Sequence, residues 1–459
     1  MTFQGMDFGS FDKAERNARM AYELYEDGRI SLALMKIEEA LEINPANSAW
    51  HFNKGLTLDA VGRFDDAIAE YEAALELSPD DVEILNSLAV DYTRTGQYDR
   101  AIEIFEYIQQ IEPEFEPCYC NRIITYTEME CHEKAEQMFY LGQQIDPNCA
   151  LCFYNIGNSL FIRGNYERAV YCWERTAELE PTHPQINFRI AQAYWSLGDM
   201  TSAREQFLEE LRNNPGDIDV IFNFGLFLLE AGDIEMAKEK FNRALEFNPD
   251  FAPALFYLGE IAFDECDLEK SIRFYGQALQ KDDTLEGPYY RLAQCALVKE
   301  QKLRARTYLI SELELAPEDG DVLVSIASML LALEDSDYAA HCLVKAVDID
   351  PTNADAYYYL GLINALKDEF EEAANFFAHT LDLEPEHPSA LKDSAVVSLV
   401  LGRLENAREK IRKAKELAPK NLQLTAISLA TRTAQTISNI SSFFNRLKPR
   451  FILRKFRRR

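Results

Sequence analysis

Residues 50–81 read WHFNKGLTLDAVGRFDDAIAEYEAALELSPDD. Apolar residues recur at helical spacing over 50–62 and again over 63–77, with Gly62 between the two stretches and SPDD closing the second. The segment predicts two amphipathic helices joined by a tight turn. Proline after the second helix cannot continue it and presets the turn into the next segment.

The same punctuation runs along the chain. Prolines stand at 45, 79, 113, 147, 181, 215, 249, 317, 351, 385 and 419, each 34 residues from the last except for one double step over Asp283. This spacing defines twelve units over residues 14–421 without insertion or deletion. Upstream of the marks, in the same register, stand Ala33, Ala67, Ala101, Ala135, Ala169, Ala203, Ala237, Ser271, Ala305, Ala339, Ala373 and Ala407. Small residues recur in the first helix of the units, among them Gly55, Ala89, Gly157, Ala191, Gly259 and Gly361. Bulky ones answer in the second: Tyr71, Phe105, Phe139, Trp173, Phe207, Phe241, Tyr275 and Phe377. Small against bulky is a packing rule that lets helix backbones approach, and it is no cofactor box. Unit four (116–149) departs most, with Ile123 at the small site and Glu130 in place of the turn glycine; unit eight has Ser271 and Asp283. These departures are either tolerated variants or softer joints.

The period, the Gly/Ala of the first helix, the Ala and aromatic of the second and the closing Pro together resemble the tetratricopeptide repeat family over about nine-tenths of the chain. The resemblance implies an all-α fold, a right-handed superhelical solenoid of antiparallel helix pairs. Stacked repeats of this kind are stabilised by their neighbours, so length alone does not count domains. The expected organisation is an N-terminal tail over 1–13, twelve repeats over 14–421, a capping amphipathic helix over 422–445 and a basic tail over 446–459.

In the family, the first helices form a concave wall, and residues two, five, six, nine, twelve and thirteen of each unit face it. At the fifth place this chain has Phe52, Tyr154, Phe188, Phe222, Phe256, Tyr290 and Tyr358. At the sixth it has Asn53, Asn121, Asn155 and Asn223, with Arg19, Arg189 and Arg291 in other units. An asparagine amide can donate to and accept from a peptide backbone without reading its side chains, and neighbouring rings offer slots for alternate residues. A groove for extended polypeptide is therefore expected there. The competing reading is that the aromatics pack between neighbouring first helices and the asparagines bond locally. The six places hold twelve acids against five bases, which favours neutral or basic polypeptide and disfavours nucleic acid. The Lys/Asn clamp with which chaperone-cofactor members grip a terminal carboxylate is not reproduced at pairs such as Phe52/Leu56 and Gln185/Arg189.

Nothing in the sequence calls for catalysis or a cofactor. The six histidines fall in different units without metal-ligand spacing, and no phosphate-cradling glycine loop or G-x-S-x-G is present. Six of the nine cysteines crowd units four and five: Cys118, Cys120, Cys131, Cys149, Cys152 and Cys172. Cys149-Ala-Leu-Cys152 is a lone C-x-x-C at the opening of a first helix, and Cys118 and Cys152 hold equivalent places in adjacent units. They read as packed free thiols, since cysteine behaves as a small hydrophobe, with a zinc or redox site as the alternative. The sequence alone assigns no metal ligand.

The chain has 47 basic and 77 acidic residues, for a net charge of −30, and the apolar fraction of 47% suffices for real cores. No apolar run is long enough to span a bilayer, and the first residues lack the basic and apolar regions of a signal peptide, so a cytoplasmic location is expected. Against this acidic body, the end RLKPRFILRKFRRR (446–459) carries eight basic residues and no acid. Arg450, Arg454, Lys455, Arg457, Arg458 and Arg459 interleave with Phe451, Ile452, Leu453 and Phe456. Such a tail suits peripheral contact with an anionic membrane surface, docking on acidic protein, either its own groove or a second copy, or, less well, nucleic acid, with a solvated tail that binds nothing as the bland alternative. The reading is a non-catalytic scaffold or adaptor that binds extended polypeptide, with a membrane-surface or nucleic-acid tether led by the tail as its rival.

Overall fold

A computed structural model describes residues 8–417 of the chain. Among them are twenty-four α-helices and no strand. The helices come in pairs, two per 34-residue repeat, with three- or four-residue turns inside each pair. The first helix starts at Phe8 and so extends into residues expected to form an N-terminal tail. The expected capping helix over 422–445 and the basic tail over 446–459 lie outside the described residues.

In eleven of the repeats the turn inside the pair closes the same way. In repeat two, Gly62 takes φ +74°, and the amide of Arg63 donates back to the Leu58 carbonyl at 3.1 Å. This six-to-one bond satisfies a carbonyl that the helix end would otherwise orphan. All twelve repeats place a left-handed residue here, but glycine supplies it in only seven. Glu130, Cys266, Glu300, Glu334 and Asp368 hold φ between +56° and +66° at the same register. Repeat four is thus one of five repeats that lack the glycine. The Cys131 amide still reaches the Tyr126 carbonyl at 2.8 Å, so the hydrogen-bond geometry survives the substitution.

The cores follow the small-against-bulky rule. A Cβ added to Gly157 would lie 2.5 Å from Trp173 Nε1, and one on Gly259 would lie 2.6 Å from the Tyr275 ring. The bulky partners Tyr71, Phe105, Trp173, Phe207, Tyr275 and Phe377 are fully buried. Burying such a ring removes 150–250 Å² from water, and these rings carry much of each repeat's stability.

The chain divides after Gly232 into two compact blocks, between the two helices of repeat seven rather than at repeats four or eight. In the N-terminal block a single apolar cluster runs from Leu58 to Ala193, beside a smaller one around Ala14, Ile37 and Trp50. In the C-terminal block one apolar cluster spans Ala293 to Ile363, with others around Tyr275 and around Phe377. Two repeats open abnormally. The first helices Ile186–Ser196 and Pro288–Val298 are only 11 residues long, entered from Gln185 at φ +54° and Gly287 at φ +102°. In both repeats a buried glutamate, Glu210 or Glu312, stands in the second helix where six other repeats carry alanine. Glu312 accepts the amides of Gly287 at 2.6 Å and Tyr290 at 2.8 Å, and so caps the shortened helix from the side. Burial raises its carboxyl above the ordinary range, while these two amides hold it down.

Candidate functional site

Along the first helices, the aromatic at the fifth place leans on the bulky residue of its own repeat. Ring centroids lie 5.8 Å apart for Phe52–Tyr71, 6.0 Å for Phe188–Phe207, 5.8 Å for Phe256–Tyr275 and 5.9 Å for Tyr358–Phe377. The recurring distance shows that one ring face of each is committed to packing. Phe52, Tyr154, Phe222, Phe256 and Tyr290 remain half-exposed, whereas Phe188 and Tyr358 are buried at 7%. The Tyr358 hydroxyl donates to Asp393 at 2.9 Å. Tyr154 faces His183, 4.3 Å between centroids, and its carbonyl accepts the Trp173 indole N–H at 3.2 Å.

The sixth-place amides are less open than the sequence suggests. Asn155 is only 4% exposed, and its Nδ2 donates to the Cys120 carbonyl in the preceding first helix at 3.2 Å. Asn121 Nδ2 donates to Asn86 Oδ1 at 3.0 Å, again one repeat back. Asn223 Nδ2 donates to the Asp219 carbonyl of its own helix at 2.8 Å. Asn121 and Asn223, both half-exposed, each spend one N–H in this way and keep the other N–H and the oxygen. Asn53 lines a shallow depression of about 650 Å³ together with Arg16, Arg19, Glu15 and Trp50. Arg291 pairs with Glu260, donates to Gln294 at 2.9 Å and lies over the Phe263 and Tyr290 rings. Arg189 buries its Nε without a hydrogen-bond partner.

Charge on this face is also partly spent. Arg94 bridges Asp59 and Asp91. Asp91 is fully buried, and desolvation, with Asp59 adding to it, pushes its carboxyl up to about 6. Glu230 accepts the Trp195 indole N–H at 2.7 Å, and Asp355 faces His387 at 3.0 Å.

A second constellation lies where repeats four and five meet. Glu116 and Cys120 are one turn apart on the helix Glu116–Glu128, Cys149 precedes the helix Ala150–Ile162, and Cys152 sits in that helix's first turn. Cys120 Sγ is 2.8 Å from Glu116 Oε1 and 3.3 Å from Cys149 Sγ, and Cys152 Sγ is 3.3 Å from the same carboxylate oxygen. The Cys152 amide donates to Cys149 Sγ at 3.1 Å, the capping bond that Asn47, Asp81, Asp217 and Asn353 make in other repeats. Hydrogen bonds from Cys120 and Cys152 hold the Cys149 thiol far below its ordinary value, while burial raises the Glu116 carboxyl. Elsewhere burial is the main cause that pushes thiols up, Cys118 and Cys342 to about 12 and about 11. Cys118, which holds the place in repeat four that Cys152 holds in repeat five, donates to the Phe105 carbonyl at 3.3 Å. The partner that the structure brings to the C-x-x-C is Cys120.

The sequence profile of the tetratricopeptide repeat matches residues 52–114, 154–218, 222–285, 324–378 and 370–421. The chain belongs to the tetratricopeptide repeat family. Repeats of this family are in general a scaffold for protein–protein interaction, and its members are generally non-catalytic. Among solved structures, the chain is similar to a tetratricopeptide repeat protein from Parabacteroides merdae, at 19% identity over 52% of this chain and 94% of that one, with a TM-score of 0.43. YrrB, described as a tetratricopeptide repeat protein with an unusual peptide-binding site, is 24% identical over 41% of this chain and 97% of its own, with a TM-score of 0.37. Yeast Tom70 is 15% identical over 93% and 96%, with a TM-score of 0.39. No curated protein matches the sequence. No described helix is long and apolar enough to cross a membrane.

Proposed function

We propose that this tetratricopeptide repeat protein is a non-catalytic scaffold that binds extended polypeptide along its first helices. The observation that supports this reading is the half-exposed ring at one fixed place in several first helices, followed by an amide or guanidinium. Phe52–Asn53, Tyr154–Asn155, Phe222–Asn223 and Tyr290–Arg291 repeat this pair. Rings take alternate side chains, and uncommitted amide groups at Asn121 and Asn223 take backbone N–H and C=O. Because Asn155 is buried against Cys120, its role is to fix that backbone rather than to touch a ligand. Glu15, Glu83, Glu128 and Asp219 leave the face acidic, which favours neutral or basic partners. The basic tail at 446–459 supplies a second contact, to an anionic membrane surface or to the acidic body of another copy.

The test uses an extended peptide selected on the intact chain from a random display library. Changing Asn121 and Asn223 to Ala is expected to weaken that peptide by roughly tenfold, as loss of one to two hydrogen bonds implies, while thermal unfolding stays nearly unchanged. Equal affinity for the double variant and the parent would refute the reading. So would loss of stability with affinity retained.

A further inference from the structure

We propose that Glu116, Cys120, Cys149 and Cys152 form a zinc site that ties repeat four to repeat five. Their ligand atoms, three sulfurs and one carboxylate oxygen, all lie within 4.8 Å of one another. A tetrahedral ion with Zn–S bonds of about 2.3 Å places its sulfurs about 3.8 Å apart. Cys120 and Cys149 at 3.3 Å, and Cys120 and Glu116 at 2.8 Å, reach the edges of such a tetrahedron by shifts of up to about half an ångström at each side chain. Three soft thiolates with one harder oxygen suit zinc, a borderline ion, better than copper(I).

The surroundings hold these four groups in place. Cys149 is fixed by the Cys152 amide, and the opening of the helix Ala150–Ile162 favours negative charge on its sulfur. The Cys120 backbone is held by Asn155 Nδ2 at 3.2 Å, an outer bond of the kind that orients a ligand. Cys120 and Cys152 are fully buried, while Glu116 and Cys149 are half-exposed, which leaves a path for the ion. Gly142 makes room: a Cβ there would lie 3.1 Å from Cys152 Sγ, and six other repeats carry alanine at that register.

Position in the repeat explains the need. Repeat four carries the bulky Ile123 at the small site and Glu130 in the left-handed turn, two departures that weaken a helix pair. Cys120 stands where seven other repeats place the packing aromatic. A metal joining the helix Glu116–Glu128 to the start of Ala150–Ile162 replaces that lost contact. On binding, each thiol that is still protonated releases its proton to solvent, so affinity falls as pH falls.

The experiment takes the full chain, purified under reducing conditions, loaded with excess zinc, desalted and assayed by mass spectrometry for metal content. One zinc per chain is expected, and cobalt in its place should show thiolate charge-transfer absorption with the intense visible bands of a tetrahedral site. Cys149→Ser with Cys152→Ser should abolish both signals, while Cys118→Ser with Cys131→Ser, two thiols of repeat four outside the set, should retain them. In the unmutated protein, which needs no variant to fold, stripping zinc with a chelator should lower hydrogen-exchange protection in the helices Glu116–Glu128 and Ala150–Ile162. Returning zinc should restore it. The proposal is overturned if the zinc-loaded chain holds no metal, if a Cys120–Cys149 disulfide is found in its place, or if both pairs of variants lose metal equally.

Discussion

Changing Gly157 to Ala adds one methyl group to the first helix of repeat five, at the point where that helix meets Trp173. The new Cβ would lie 2.5 Å from Trp173 Nε1 and 2.6 Å from Cδ1, about 1 Å inside ordinary van der Waals separation. Trp173 is 1% exposed and cannot move outward without opening the core. Overpacking of this kind costs about 1–3 kcal/mol. A retreating indole also strains the Nε1 hydrogen bond to the Tyr154 carbonyl, 3.2 Å long and worth about 1 kcal/mol net. Alanine returns about 1 kcal/mol of helix propensity relative to glycine, so the expected net loss is about 1–3 kcal/mol. Gly276, inside the helix Leu268–Lys281, provides the control, because a Cβ there meets nothing within 4 Å. Gly276→Ala should keep the propensity gain alone and stabilise its repeat by about 1 kcal/mol. Native-state hydrogen exchange suits the measurement, since stability in repeat arrays is approximately local and a single midpoint averages over repeats. Amides of Ala150–Ile162 and Tyr166–Leu179 should lose protection in the first variant, and those of Leu268–Lys281 should gain it in the second. If Gly157→Ala stabilises as Gly276→Ala does, the small-against-bulky account of the core is wrong.

Other perturbations test the turns and the buried charge. Glu130→Gly removes a Cβ from a residue held at φ +56° and should stabilise repeat four by about 1 kcal/mol, read as slower exchange of its amides. Glu130→Ala, which keeps the Cβ, should give no such gain. Asp91, whose carboxyl rises from 3.8 to about 6 in the folded chain, binds its proton more readily folded than unfolded. Stability from this group is therefore present below pH 3.8 and lost as pH rises to 6, by up to about 3 kcal/mol. Asp91→Asn should stabilise the N-terminal block at pH 7 relative to the unmutated chain, and this advantage should vanish near pH 4. A pH-independent difference between the two proteins would remove Asp91 from the account.

Much of the architecture was legible because a strict 34-residue spacing of Pro, Ala and Gly/Ala leaves little choice of fold. What remained hidden depends on contacts between repeats. The sequence showed Glu130 at a turn where glycine was expected, but the conformation shared by Cys266, Glu300, Glu334 and Asp368 appears only in the backbone. Glu312 reads as one acid among many until its carboxylate is found on the amides of Gly287 and Tyr290. The asparagine row was visible by register, yet Asn155 faces the Cys120 carbonyl rather than an open wall, a distinction that periodicity cannot make. The thiol cluster was half visible. C-x-x-C stood out, whereas Glu116 and Cys120 join it only because they lie one turn apart on the neighbouring first helix. Spacing of i and i+4 beside a C-x-x-C, one repeat on, is the signal that finds them.

Photo-crosslinking tests most directly whether the first-helix face holds polypeptide. A benzophenone side chain placed at Tyr154 or at Phe222 samples that face in the N-terminal block, and one at the exposed Tyr171 or Leu303 samples the second helices. With a library-selected extended peptide, Tyr154 and Phe222 should crosslink it, unlabelled peptide should compete, and Tyr171 and Leu303 should not capture it. Crosslinks confined to Tyr171 and Leu303 would contradict the assignment of the binding face.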